Sequence, residues 1–319
     1  MALIRADGVA KPVLSKAQRR TRTARRAIAV RGFNETVSFS FIAREQAKLF
    51  GGGDEARQLA NPIASDLDAL RPSILPSLLA AAARNAARGF ANLQLFEIGA
   101  AFDSGRPEDQ KTVAAAIRTG QAERHWEITA EGSALFAAKA DLMAVLEAVS
   151  GAPMSAPITQ GGPGWYHPGR SGAIATGPKV IAQFGELHPK VLGAFDLKGP
   201  VVGFELFLDA IPQAKSKKPR PLFQPSPYQA IERDFAFVVD AKLPANEMVK
   251  AVKLADRSLI DSVAVFDVYE GNAVPEGKKS LALAVRILPS DATLTETEIE
   301  ALAQKIVAAA MKLGATLRA

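Results

Sequence analysis

With 319 residues, the chain exceeds one ordinary core and is sized for two or three domains. Its 48% hydrophobic and 23% charged content excludes a disordered chain, and the lack of cysteine excludes disulfides, cysteine-ligated zinc and a thiol nucleophile. A net charge of +6 permits a polyanionic partner without requiring one. No signal-like apolar run opens the chain and no stretch reaches ~20 uninterrupted apolar residues, so a cytoplasmic protein with no membrane span is expected.

In chain order, residues 15–30 read as a helix with Ser15 as N-cap and Leu14, Ala17, Thr21, Ala24 and Ile28 as its apolar stripe. Residues 11–31 are rich in Lys and Arg and hold no acid. That basic face is either solvated, paired with acids of another subunit, or in contact with nucleic acid. A strand is expected over 36–42, then a short helix over 44–50 closed by Gly51-Gly52-Gly53, which lacks the Lys and Ser/Thr of a phosphate-binding loop. A turn over 61–66 precedes an alanine-rich helix over 75–88. Strands over 93–98 and 112–119 and a helix over 136–150 follow. Residues 166–172 read as a loop feeding strands over 173–176 and 180–185, followed by a short helix to Phe195 and a strand over 201–208. Such irregular order suggests a mostly antiparallel α+β sheet. This first domain spans 1–212. Residues 213–226, rich in proline and carrying Lys215, Lys217, Lys218 and Arg220, read as a linker.

Residues 227–319 read as strands over 234–240, 262–269 and 279–288, helices over 245–255 and 295–313, and a short edge strand over 315–318. Thr295 and Glu298 form a capping box. The order βαββαβ is the ferredoxin-like arrangement, with both helices on one sheet face. Leu281, Leu283, Val285 and Ile287 should meet the helices, leaving Ser280, Ala282, Ala284 and Arg286 on the open face, with Asp267 and Tyr269 beside them. Small residues with one Tyr and one Arg suit an RNA backbone and stacked bases, and a protein interface is the alternative.

The motifs carry a resemblance. Gly32-Phe33-Asn34-Glu35 after the Arg-rich helix, Leu70-Arg71-Pro72-Ser73, Phe96-Glu97-Ile98-Gly99, His167-Pro168-Gly169-Arg170-Ser171, Gly185-Glu186-Leu187-His188-Pro189 and Phe204-Glu205-Leu206 resemble the class II synthetase-like core of the bacterial phenylalanyl-tRNA synthetase β subunit. Arg233-Asp234-Phe235 and Phe266-Asp267-Val268-Tyr269-Glu270-Gly271 resemble its ferredoxin-fold anticodon-binding domain. The resemblance implies a C-terminal portion of that β subunit. It would scaffold a catalytic α subunit in an (αβ)2 heterotetramer and bind the anticodon region of tRNA(Phe), with Arg233, Tyr269, Lys279 and Arg286 as RNA-binding residues. ATP and Mg would belong to the whole complex, and this chain would need no cofactor of its own.

Class II enzymes clamp ATP phosphates with arginines. The family's second motif would carry one on the strand at 94–97, where none stands, and the third would place one at Ala210. The chain itself is therefore expected to be non-catalytic. The alternatives are a stand-alone ATP-dependent carboxylate-activating enzyme and a regulatory protein-binding module. His125, His167 and His188 lack metal-ligand spacing and read as structural.

Overall fold

The computed structural model describes residues 13–120, 126, 134–151, 156–212, 222 and 225–318, and the chain divides into two compact units, 1–217 and 218–319. Lys215, Lys217, Lys218, Arg220, His125 and most of the segment 213–226 lie outside the described residues.

The larger unit begins with α1 (Lys16–Ala29), where Ser15 and Gln18 form a capping box by each binding the other's backbone amide. Ala24 and Ile28 carry its stripe into the core. In place of one strand over 36–42, only β1 (Asn34–Glu35) and β2 (Phe41–Ile42) are paired. Ser38 explains the interruption. Its hydroxyl turns inward, donating to Glu97 Oε2 at 2.5 Å and accepting from Arg71 Nη1 at 2.9 Å. Its neighbours Val37 and Phe39 are left 93% and 70% exposed. Helix α2 (Arg44–Leu49) then runs into the triple glycine, where Gly51 and Gly53 take φ of 75° and 77°.

β3 (Ala69–Leu70) pairs with β2 and leads into α3 (Leu75–Ala86). Next come β4 (Gln94–Phe102), β5 (Gln110–Thr119), α4 (Ala134–Ser150), β6 (Ile158–Gln160), β7 (Tyr166–Thr176), β8 (Lys179–Leu187), α5 (Pro189–Ala194) and β9 (Val201–Phe207). The main sheet has the order β1-β4-β5-β9-β8-β7-β6. Only the β1–β4 pair is parallel. One face packs Leu95, Val113, Ala115, Ile117 and Val201 against α3, and the other packs Phe96, Ala114, Ala116, Phe204 and Leu206 against α1 and α4.

Residues 166–172 belong to β7 instead of forming a loop. The register jumps from Tyr166 opposite Leu187 to Ser171 opposite Gly185, so residues 167–170 bulge from an otherwise continuous ladder. The Ser171 hydroxyl holds the bulge by donating to the His167 carbonyl at 2.8 Å. Gly185 makes the close approach possible, because a Cβ there would stand 2.8 Å from the Arg170 carbonyl.

The smaller unit is α+β as well: β10 (Ile231–Asp240), α6 (Ala245–Ala255), β11 (Ile260–Tyr269), β12 (Lys278–Ile287), α7 (Glu296–Met311) and β13 (Thr316–Leu317). Its antiparallel sheet has the order β11-β12-β10-β13, the ferredoxin-like arrangement. Phe237, Val239, Leu281, Leu283, Val285 and Ile287 pack under Met248 and Val252 of α6 and Leu302 and Ile306 of α7. Thr295 caps α7 with Glu298 as its reciprocal partner.

Candidate nucleic-acid interface

Strand register sorts the smaller sheet into two faces. On β12, Ser280, Ala282, Ala284 and Arg286 lie away from the helices. Across from them on β10 stand Val238, Ala236, Asp234 and Glu232. On β11 strict alternation would group Val263 and Val265 with Asp267 and Tyr269, but the chain does not follow it. Val263 and Val265 pair with Val285 and Leu283 on the helix-covered face. A register shift between Val265 and Asp267 then sets Asp267 opposite Ala282 and Tyr269 opposite Ser280, on the open face.

Tyr269 is 40% exposed and stands opposite Ser280, which is 4% exposed. Gly271 makes room for the ring: a Cβ there would stand 2.5 Å from Tyr269 Oη. Arg286 is also on the open face, where it binds Asp261 at 2.8 Å. Arg233 and Lys279 fall elsewhere. They stand opposite Val285 and Val239, at positions of the helix-covered face. Arg233 lines a groove of about 570 Å³ against α7, with Glu300 and Gln304 on its rim. Lys279 Nζ donates to the Ala241 carbonyl at 2.8 Å and ties down the end of β10. A further cation was not singled out from sequence: the Arg318 guanidinium sits 5.7 Å from the Tyr269 ring centroid. With Glu232, Asp234 and Asp267 also present, the open face is not a basic patch. It offers an aromatic platform and hydrogen-bond acceptors more than a phosphate track.

In the larger unit, the motifs converge on buried polar contacts. Arg71, 1% exposed, binds Glu97 at 2.8 Å, the Ala100 carbonyl at 2.8 Å and the Ser38 and Ser77 hydroxyls. Gly99 leaves space for this guanidinium, since a Cβ would lie 2.5 Å from Arg71 Nη2. Ser73 donates to Glu205 Oε1 at 2.7 Å and accepts from the Leu75 amide. Burial pushes the Glu205 carboxyl up to about 7, against the pull of Ser73 and the nearby Trp165 indole, which stops short of hydrogen-bond geometry. Burial, reinforced by Glu205, also raises the Tyr166 phenol well above its ordinary value. On the opposite face, Asp141 is bound by both Arg31 and Arg118. On the surface, Arg170 and Glu186 form a two-pronged pair at 2.5 and 3.0 Å.

These residues do not fit ATP and Mg. Arg71 is already bound on every side, α3 covers the same sheet face, and Ala210 ends a short 3-10 turn with no cationic side chain. His167 and His188 each accept a backbone amide two residues on, through Nδ1, which is a turn-stabilising role.

Residues 5–208 match the family model described as "Phenylalanyl tRNA synthetase beta chain CLM domain". The chain belongs to that family. Residues 226–318 match a second model, "Ferredoxin-fold anticodon binding domain". Among curated relatives, the phenylalanine–tRNA ligase β subunit of Rhodospirillum rubrum is 50% identical over 316 residues, covering 98% of this chain and 40% of the relative. That of Bradyrhizobium diazoefficiens is 50% identical over 325 residues, covering 99% of this chain and 40% of the relative. The chain thus spans about two-fifths of the length of these family members. Among its described residues, no helix is long and apolar enough to cross a membrane.

Proposed function

We propose that this chain is a non-catalytic part of a cytoplasmic phenylalanine–tRNA ligase β subunit. Its larger unit supports the catalytic α subunit in an (αβ)2 assembly, and its smaller unit holds the anticodon region of tRNA(Phe). The observation that carries the RNA half is Tyr269 placed on the open sheet face by a register shift, with Gly271 clearing space for its ring. Arg286 shares that face. Arg233 and Lys279 stay in the proposal as contacts on the helix-covered side of the sheet, apart from the Tyr269 face. Asp234, Glu232 and Asp267 can accept hydrogen bonds from base amino groups.

The scaffold half rests on surface chemistry of the larger unit. Val37 and Phe39 are exposed apolar residues, and Arg19, Arg22 and Arg26 on α1 are exposed without an acidic partner among the described residues. Such features suit a subunit contact better than bare solvent. ATP and Mg then act on the α subunit.

Titration of the whole chain with the tRNA(Phe) anticodon hairpin tests the RNA half. Binding with a shallow salt dependence is expected, because few unpaired cations face the sheet. Tyr269→Leu should weaken it ~10-fold, within the range for loss of one base–aromatic stack. No binding, or binding indifferent to Tyr269, would sink this half. Co-purification with a co-expressed α subunit tests the scaffold half, and pyrophosphate exchange by the chain alone would overturn the non-catalytic assignment.

A further inference from the structure

The open face holds a residue that the stacking role of Tyr269 does not use. Arg318 continues the edge strand β13. Its backbone amide donates to the Ala236 carbonyl at 2.8 Å, which fixes it beside an open-face position of β10. β13 and β11 form opposite edges of the sheet, three strand spacings or about 14 Å apart. The side chains of Arg318 and Tyr269 nevertheless meet, with the guanidinium carbon 5.7 Å from the ring centroid. The strands between them present small residues there, Ala236, Ser280 and Ala282, which leaves the space for that encounter. Arg286 is bound to Asp261, whereas Arg318 has no carboxylate in salt-bridge range among the described residues.

From this geometry we infer that Arg318 is a displaceable cap on Tyr269. In the free chain the guanidinium covers the ring. An unstacked RNA base takes its place, and the released guanidinium pairs with a flanking phosphate. A base stacked on an aromatic ring outweighs an exposed cation–π contact, so the exchange runs forward. The freed cation gains charge-assisted hydrogen bonds to phosphate. Without it, Glu232, Asp234 and Asp267 would repel the backbone that carries the base. This inference rests on the RNA-binding role proposed above for the open face.

The test uses the whole chain and two RNAs, titrated over a range of salt: the tRNA(Phe) anticodon hairpin, and the same hairpin with abasic anticodon positions. Arg318→Ala should lower the salt slope by about 0.7, the single-strand value for one phosphate, on both hairpins. At high salt, where the phosphate contact is screened, that variant should bind the intact hairpin roughly two- to fivefold more tightly than the unaltered chain, because the cap no longer competes. The advantage should vanish on the abasic hairpin and in a Tyr269→Leu background. If Arg318→Ala is no tighter than the unaltered chain at any salt, or if its advantage survives loss of Tyr269, the cap is wrong and the RNA-binding role stands. If the unaltered chain binds neither hairpin, both fall together.

Discussion

The two units use charge in opposite ways. In the larger one, arginines and carboxylates are drawn inward: Arg71 to Glu97, Ser73 to Glu205, and Arg31 and Arg118 to Asp141. In the smaller one the core is apolar, and charged groups stand on the surface, where Arg286 pairs with Asp261 and Arg318 lies beside Tyr269. The buried charges of the larger unit hold its own fold together. A face that keeps a cation next to an exposed ring can still exchange partners. The difference fits a first unit whose charges serve its own fold and a second that, under the proposed function, meets RNA.

The largest effect is expected at Arg71. Arg71→Met should destabilise the larger unit by about 3–5 kcal/mol, because the buried Glu97 is left with an unpaired charge and the half-buried Ser38 with an unmet acceptor. Denaturant unfolding of the whole chain should show the loss in one transition and leave the transition of the smaller unit in place. An unfolding curve unchanged from the parent would mean that the buried pair does not hold the fold.

Glu205 should give the next largest effect, and its sign is fixed by the direction of its shift. The native carboxyl holds its proton up to about pH 7, whereas the unfolded one loses it near its ordinary value of 4.5. Stability is therefore full below pH 4.5, falls as pH rises towards about 7, and levels off beyond, by about 3 kcal/mol in total. Glu205→Gln keeps the acceptor for Ser73 and should flatten that slope, gaining stability above pH 7. An equal slope in both proteins would place the carboxyl's titration elsewhere.

Smaller effects sharpen the other side. Gly271→Ala should displace the Tyr269 ring and weaken hairpin binding several-fold. It should cost under ~1 kcal/mol in stability, since the group that must move is the end of one flexible side chain. A large stability loss with unchanged binding would reverse the meaning of that glycine. Arg286→Ala should be the mildest. Its pair with Asp261 is exposed on both sides, so at most about 1 kcal/mol of stability is involved, read from the smaller unit's unfolding midpoint.

Local rules made much of this molecule readable from its residues. Capping at Ser15 and Thr295, the alanine-rich α3, the glycines that end helices and the βαββαβ order depend on neighbours within a few positions, and each stands where the sequence placed it. The motifs carried the family resemblance but not its cause. Leu70-Arg71-Pro72-Ser73, Phe96-Glu97-Ile98-Gly99 and Phe204-Glu205-Leu206 are far apart in the chain. Only the packed sheet shows that Arg71 reaches Glu97, that Gly99 clears space for it, and that Ser73 reaches Glu205.

The same limit governed the strands. An unbroken strand over 36–42 and a loop over 166–172 were reasonable from propensity. Tertiary contacts overrode both, by pulling Ser38 into the Arg71–Glu97 pair and by seating Ser171 against Gly185. In the smaller unit, alternation brought Asp267 and Tyr269 to the open face, but the register shift that puts them there while Val263 and Val265 face the core has no local signature. Arg318 was invisible for a simpler reason: its partner lies 49 residues away on the opposite edge of the sheet. Sequence alone thus determined most of the helices, the βαββαβ order of the smaller unit and the family. Which charges are buried, which face each strand presents, and which cation meets the exposed ring were decided by packing between residues distant in the chain, where no local preference acts.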